Sequence, residues 1–517
     1  MTFEIVFVLL SLLGMVAALI ADKMRPGMIL FSVVVLFLCA GILTPKEMLE
    51  GFSNKGMITV ALLFLVSEGI RQSGTLGQVI KKLLPQGKTT VFKAQLRILP
   101  SVAFISAFLN NTPVVVIFAP IIKHWAKSVN LPATKFLIPL SYVTILGGIC
   151  TLIGTSTNLV MHGMILEVGF EGFSMFELGK VGIFIAIAGI IYIFLFSKRL
   201  LPDARPDTAV PDEEVEEGEK LHRVEAVLGA RFPGINKKLK DFNFQRHYGA
   251  EVKEIKTRNG QRFVSNLEEV VLHEGDTLVV MADDTFIPTW GESSVFVLLT
   301  NGNEPDTTGK KKRWFALLLL VLMIVGATVG ELPVTKEMFP DIKLDMFFFV
   351  SITTIIMAWT NLFPARKYTK YISWDILITI ACAFAISKAM VNSGVADSVA
   401  KFIIGLSDDY GPHVLLAMVF IITNLFTELI TNNAAAALAF PLALSISAQL
   451  GVSPTPFFVV ICMAASASFS TPIGYQTNLI VQGIGNYKFT DFVRIGLPLN
   501  IITFLISVIL IPLIWNF

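Results

Sequence analysis

Apolar residues run through this chain in long unbroken stretches, with polar residues gathered between them. About 20 apolar residues cross a hydrocarbon core, and the runs predict spans near 3–21, 27–43, 56–70, 95–109, 135–150 and 178–197. A second set is predicted near 314–331, 345–362, 372–390, 411–429, 456–470 and 491–515. Between the sets the pattern changes to alternation. "AEVKEIKTRNGQRFVS" predicts a strand, an Asn-Gly turn and a second strand, and "EGDTLVVMAD" predicts a strand after a Gly-Asp turn. Residues 220–300 therefore read as a small soluble α/β domain between two membrane repeats, 1–200 and 314–517. An acidic linker at 201–219 and a basic linker at 301–313 join the three parts.

Composition strengthens the membrane reading. Of 517 residues, 54% are hydrophobic and only 15% charged, and the mean hydropathy of +0.70 lies far above that of soluble chains. A formal net charge of +2 speaks against nucleic acid as a partner. Cys39, Cys150, Cys382 and Cys462 lie in apolar stretches without paired spacing, so they read as small buried hydrophobes. The segment "MTFEIVFVLLSLLGMVAALIADKMRPG" has an acidic lead and no small-residue cleavage pattern, which favours a retained first helix over a signal peptide.

Charge at the loop ends predicts orientation. Lys198 and Arg199 precede the soluble domain and Lys310, Lys311, Lys312 and Arg313 follow it, which places residues 220–300 in the cytoplasm. The first half turns at Lys23 and Arg25, which puts the N-terminus outside. The loop "TPKEMLEGFSNK" of the first half corresponds to the more basic "PARKYTKY" of the second, so the halves read as inverted. Three segments repeat. "TVALLFLVSEGIRQSG" (59–74) lies against "ITIACAFAISKAMVNSG" (378–394), and "GTSTNLVMHG" (154–163) against "GYQTNLIVQG" (474–483), at an offset of 320. "FLNNTPVVVIFAP" (108–120) lies against "LITNNAAAALAFP" (429–441) at an offset of 321.

Inverted repeats with interrupted helices build transporter sites near the bilayer midplane, where irregular backbone can serve as ligand. The paired amides and the Gly-x-x-Thr-Asn loops have the required makeup. Their carbonyl, hydroxyl and amide oxygens suit a hard cation such as sodium, and exposed N–H groups at half-helix starts suit an oxyanion. Ser106 lies four residues before Asn110, and Thr427 four before Thr431, which predicts that each hydroxyl shares a helix face with its amide cluster. Asn can also serve simply as glue between membrane helices, but duplication of both clusters and loops favours a site.

The triplets Asn110-Asn111-Thr112 and Thr431-Asn432-Asn433 resemble the paired Ser-Asn-Thr signatures of the divalent anion:sodium symporter family, with similarity over both membrane halves. The resemblance implies an α-helical polytopic membrane protein, an inverted-topology repeat with re-entrant hairpins that moves as an elevator against a homodimeric scaffold. It implies one sodium site at Ser106, Asn110, Asn111 and Gly154 and another at Thr427, Asn432 and Gly474. The anion would lie among Asn111, Thr112, Thr155, Asn432, Asn433 and Tyr475. Dicarboxylate members carry Pro-Pro-Asn where this chain has Ser156-Thr157-Asn158 and Gln476-Thr477-Asn478. The extra donors suit a compact tetrahedral oxyanion, so sodium-coupled import of sulfate is the leading expectation, in a prokaryotic inner or plasma membrane. A sodium-coupled di- or tricarboxylate symporter is the alternative of the same class, and a gated channel or membrane sensor that of a different class.

Residues 229–284 resemble the C-terminal ligand-binding module of regulator-of-potassium-conductance type (RCK-C, also TrkA-C), which implies a small-molecule regulator or a dimer contact. Glu68, Lys388 and Glu428 are ionisable positions within spans, and such groups are functional suspects or paired within the protein. His124, His162 and His413 show no metal spacing, and no nucleophile-base pair or phosphate loop is visible, so an enzyme is not expected.

Overall fold

A computed structural model describes residues 3–21, 24–85, 87–203, 222–229, 232–257, 261–283, 286, 290, 295–300, 310–339, 342–405 and 411–517. Lys23, the Asn259-Gly260 turn, most of the acidic linker and residues 301–309 of the basic linker fall outside these.

Each apolar run is helical. The first six are Phe3–Ala21, Pro26–Cys39, Lys55–Gln72, Val91–Ser106, Leu137–Gly148 and Gly179–Leu200. The second six are Lys310–Gly330, Met346–Trp359, Trp374–Asn392, Gly411–Leu429, Thr455–Ser466 and Phe489–Ile514. Among the described residues seven helices are long and apolar enough to cross a membrane. Their outer faces are apolar as well. Ile183, Ile187, Ile191 and Leu195 form a stripe at four-residue spacing, each more than half exposed, as do Leu497, Ile501, Leu505, Ile509 and Leu513 on the last helix, each about half exposed or more. In water such continuous apolar stripes would be covered by a partner; here they form the lipid-facing side. The interior holds Leu137–Gly148, of which every residue is buried, and Thr455–Ser466, of which all but Thr455 are.

Lys135 shows how a charge is accommodated at the edge of this core. It is 2% exposed, and its Nζ donates to Lys198 O at 2.8 Å, in the last turn of Gly179–Leu200, and to Leu201 O at 2.5 Å, on the C-cap residue just beyond it. It thereby caps that helix with a positive charge at the negative end of its dipole. Lys135→Met is expected to leave those carbonyls without their donor and lower stability by about 1–3 kcal/mol, read as a lower thermal midpoint of the protein in detergent.

The described strands between residues 222 and 300 form one sheet. Its strands are β1 (His222–Leu228), β2 (Glu251–Lys256), β3 (Arg262–Phe263), β4 (Thr277–Ala282) and β5 (Phe296–Thr300), in the order β3-β2-β4-β1-β5. All pairings are antiparallel, and a short helix, Phe244–Tyr248, joins β1 to β2. Val227 of β1 packs into the same apolar cluster as the membrane helices. Lys123 of the helix Asn111–Ser128 places its Nζ 2.9 Å from both carboxylate oxygens of Glu225 in β1.

Candidate functional site

The two amide clusters sit where one helix stops and the next starts. Val91–Ser106 ends, four residues turn the chain, and Asn111–Ser128 begins with Asn110 as its N-cap. Gly411–Leu429 ends, two residues turn the chain, and Asn432–Leu450 begins with Thr431 as its N-cap. Pro120 and Pro441 lie inside the outgoing helices.

Because the chain turns between hydroxyl and amide, the continuous-helix expectation needs correction. Ser106 Oγ donates to Asn111 Oδ1 at 2.8 Å and not to Asn110; Thr427 Oγ1 donates to Asn432 Oδ1 at 2.7 Å and not to Thr431. In each case the partner is five residues on, the first residue of the new helix folding back on the end of the old one. Asn110 stands apart from this bond and lines a crevice with Ser67, Leu109 and Ser156.

Two further helices start at the same place. Leu137–Gly148 stops, the loop through Gly154 follows, and Ser156–Glu167 starts after Thr155. Thr455–Ser466 stops, the loop through Gly474 follows, and Gln476–Gly485 starts after Tyr475. The loops are held alike. Gly154 N donates to Thr151 Oγ1 at 3.1 Å and Gly474 N to Thr471 Oγ1 at 3.2 Å. Asn158 Nδ2 donates to Thr151 O at 2.9 Å and Asn478 Nδ2 to Thr471 O at 3.1 Å.

The tips then cross, each bonding to the loop of the other half. Asn111 Nδ2 donates to Tyr475 Oη at 2.5 Å, and Thr112 Oγ1 to Gln476 Oε1 at 3.3 Å. In return Asn433 Oδ1 accepts from Ser156 Oγ at 3.3 Å and Thr157 Oγ1 at 3.2 Å. Tyr475 Oη also lies 3.1 Å from Thr155 Oγ1. Ser106, Asn111, Tyr475 and Thr155 are thus joined by hydrogen bonds, Asn432 with its partner Thr427 reaches Tyr475 as well, and the Thr112 and Asn433 contacts complete the network between the halves. Ser156, Thr157 and Gln476 belong to that network and were not among the expected site residues. Their signal was present, since Ser156 and Gln476 occupy the second variable position of the duplicated Gly-x-x-Thr-Asn loops and Thr157 is the threonine that the pattern shares.

None of the four N-caps, Asn110, Thr155, Thr431 and Tyr475, caps its helix through its side chain. The first N–H groups of four helices are thus left for another acceptor. Oxygen donors are available too. Asn158 Oδ1 and Thr431 Oγ1 have no partner among the described residues, and Thr427 Oγ1 is shared between Asn432 Oδ1 and Ala465 O, the latter at 2.6 Å. Glu428 lies beside this second cluster, accepting from Ser470 N at 2.8 Å and Asn500 Nδ2 at 2.7 Å. Glu68 is bonded by Arg71 and Gln72 of its own helix, and Lys388 is exposed. No group of three or more His, Cys, Asp or Glu that could hold a metal occurs among the described residues.

Apolar helices with lipid-facing stripes around a polar crossing of broken helices define a polytopic membrane transport protein. The chain belongs to the citrate transporter (CitMHS) family, whose pattern it matches over residues 16–447 and again over 342–517. It is 30% identical to an uncharacterized transporter of Synechocystis sp. (strain ATCC 27184 / PCC 6803 / Kazusa), over 94% of this chain and 93% of that protein. It is 25% identical to an uncharacterized transporter of Escherichia coli (strain K12), over 99% of this chain and all of that protein. Sodium/sulfate cotransporter 1 of Chlamydomonas reinhardtii is 22% identical over 93% of this chain and 86% of its own length.

Proposed function

We propose that this transporter is a sodium-coupled symporter of a divalent oxyanion, with sulfate as its substrate. The observation that carries the proposal is the convergence of four helix starts without side-chain caps. A helix N-terminus acts as roughly half a positive charge, so four supply about two, the charge of a divalent anion, and they do so without a charged side chain in the network. The donors around them are hydroxyls, amides and one phenol, arranged closely enough to bond to each other, which suits a compact tetrahedral ion better than an extended carboxylate.

Sodium would be held on either side of the anion by neutral oxygens, with Ser106, Asn110, Asn111 and Gly154 at one site and Thr427, Asn432 and Gly474 at the other. The hydrogen bonds repeated at an offset of 320, Gly154–Thr151 with Gly474–Thr471 and Asn158–Thr151 with Asn478–Thr471, support two halves of common origin. In this reading the halves are inverted in the membrane, the tips and broken helices move together as an elevator within a homodimer, and the sheet of residues 222–300 faces the cytoplasm. The sodium/sulfate name of one relative supports the substrate; the citrate description of the family favours a carboxylate as the second reading.

Uptake into proteoliposomes separates the two. Labelled sulfate is expected to accumulate only with an inward sodium gradient, and labelled succinate or citrate not to accumulate. Carboxylate uptake without sulfate uptake would reverse the choice, and sulfate uptake indifferent to sodium would remove the coupling.

A further inference from the structure

Two of the four helices that start at the site also carry the sheet. Lys123 lies twelve residues beyond Asn111 in the helix Asn111–Ser128, a rise of about 18 Å at about 1.5 Å per residue. Its ammonium straddles the Glu225 carboxylate, and Lys256 Nζ, from β2, stands 3.4 Å from the same carboxylate. The second attachment is steric. Gly275, at the turn before β4 with φ +84°, faces the Leu479 side chain so closely that a Cβ there would lie 2.5 Å from Leu479 Cγ. A Cβ on Gly483 would lie 2.5 Å from Thr277 Oγ1 and 3.2 Å from Gly275 O. Leu479 and Gly483 belong to Gln476–Gly485, the helix that begins beside Tyr475.

This interface has both a force that holds it and one that opposes it. Burial alone would raise the Glu225 carboxyl, but Lys123 and then Lys256 outweigh it and bring it down to about 2. The carboxylate therefore stays ionised, and the ion cluster is largely shielded, with Lys256 3% exposed. Opposing it, Thr277 Oγ1, which faces Gly483, finds no partner among the described residues. Thr277 is fully buried. Buried polar groups without partners regain hydrogen bonds when water reaches them, so separation of this surface returns part of what the ion cluster supplies. A contact balanced in this way can occupy two states, docked and released.

We propose that the sheet is a clamp on the transport site: docked, it ties the helices Asn111–Ser128 and Gln476–Gly485 to one rigid body, and release frees the Asn111–Tyr475 contact at their starts to rearrange. The proposal rests on the transport reading of that site, so its test includes a readout of docking that does not need transport. Hydrogen exchange of the full chain in lipid nanodiscs reports on β1, β4 and Gln476–Gly485, and sulfate and succinate uptake reports on rate.

Lys123→Glu sets a carboxylate against Glu225 and is expected to raise exchange in β1 and β4 on the order of tenfold and to accelerate uptake. Gly483→Ala drives a methyl into Thr277 Oγ1 and is expected to do the same from the other attachment. Adding Thr277→Ala removes the obstructing oxygen and should return both exchange and uptake to wild-type values, which a damaged helix would not allow. Unchanged exchange in Lys123→Glu and Gly483→Ala overturns the clamp. Raised exchange with unchanged uptake overturns its link to the site. A wild-type protein that moves neither anion removes the transport reading, while exchange still decides whether the sheet docks through these two contacts.

Discussion

Asn111→Ala and Asn432→Ala are each expected to abolish sodium-coupled uptake while the protein stays folded. Asn111 is fully buried and spends both ends of its amide, accepting from Ser106 at 2.8 Å and donating to Tyr475 at 2.5 Å. Truncation leaves the Ser106 hydroxyl and the Tyr475 phenol, both buried, short of a partner. Each such loss costs about 1–3 kcal/mol, and 3 kcal/mol corresponds to a fall on the order of 100-fold. Asn432 accepts from Thr427 at 2.7 Å in the corresponding arrangement. The sign of the effect separates the roles. Loss of a sodium ligand should shift the sodium dependence to higher concentration before it changes the anion concentration for half-maximal uptake; loss of an anion ligand should do the reverse. Uptake measured across a sodium series at fixed sulfate, together with the thermal midpoint of each variant, decides the matter. Ordinary sodium dependence in either variant would reject the assignment of that residue.

Much of the helical frame was legible because membrane helices advertise themselves through continuous apolar runs. The expected 56–70 became Lys55–Gln72 and the expected 178–197 became Gly179–Leu200. The tips were legible as positions, since paired amides in apolar surroundings are costly enough to need a reason. Their local geometry was not. Ser106 and Asn110 at a spacing of four would share a face of one helix, but the helix ends at Ser106 and the partner becomes Asn111. A spacing rule holds only while the backbone stays regular, and sites of this type arise where it does not.

The crossing of the halves was also beyond the sequence pattern. Offsets of 320 and 321 pair each segment with its counterpart, whereas the contacts pair each tip with the loop of the opposite half: Asn111 with Tyr475, and Asn433 with Ser156 and Thr157. Nothing local encodes a bond between residues separated by 364 positions. Similarly, β4 followed from its Gly-Asp turn and apolar run, while β1 and β5 passed unread, and the seat of the sheet on Lys123 and Gly483 has no signature in either partner alone.

Gly154→Ala and Gly474→Ala are expected to be nearly as damaging as loss of the amides, for a different reason. A Cβ on Gly154 would stand 2.5 Å from Gly148 O and 2.7 Å from Gly148 Cα. Both are backbone atoms of the same broken helix, so no side-chain rotation relieves the clash. The loop must open, and with it the Gly154–Thr151 and Asn158–Thr151 bonds that hold it at the helix start. At Gly474 a Cβ would meet Ser468 Oγ at 1.9 Å and Thr427 O at 2.7 Å. Ser468 can turn aside, but Thr427 O cannot, because it is a backbone carbonyl in the helix Gly411–Leu429. The displacement therefore reaches the second tip. Overpacking of this type costs about 1–3 kcal/mol, which lowers the thermal midpoint, and a shift of the loop by a fraction of an ångström should remove uptake altogether. Gly14→Ala is the matched control, since nothing lies within 4 Å of the added methyl; it should leave uptake unchanged. Wild-type uptake by Gly154→Ala would mean that the loop is not held at this close approach in the state that binds the anion, and the four converging helix starts would lose one of their number.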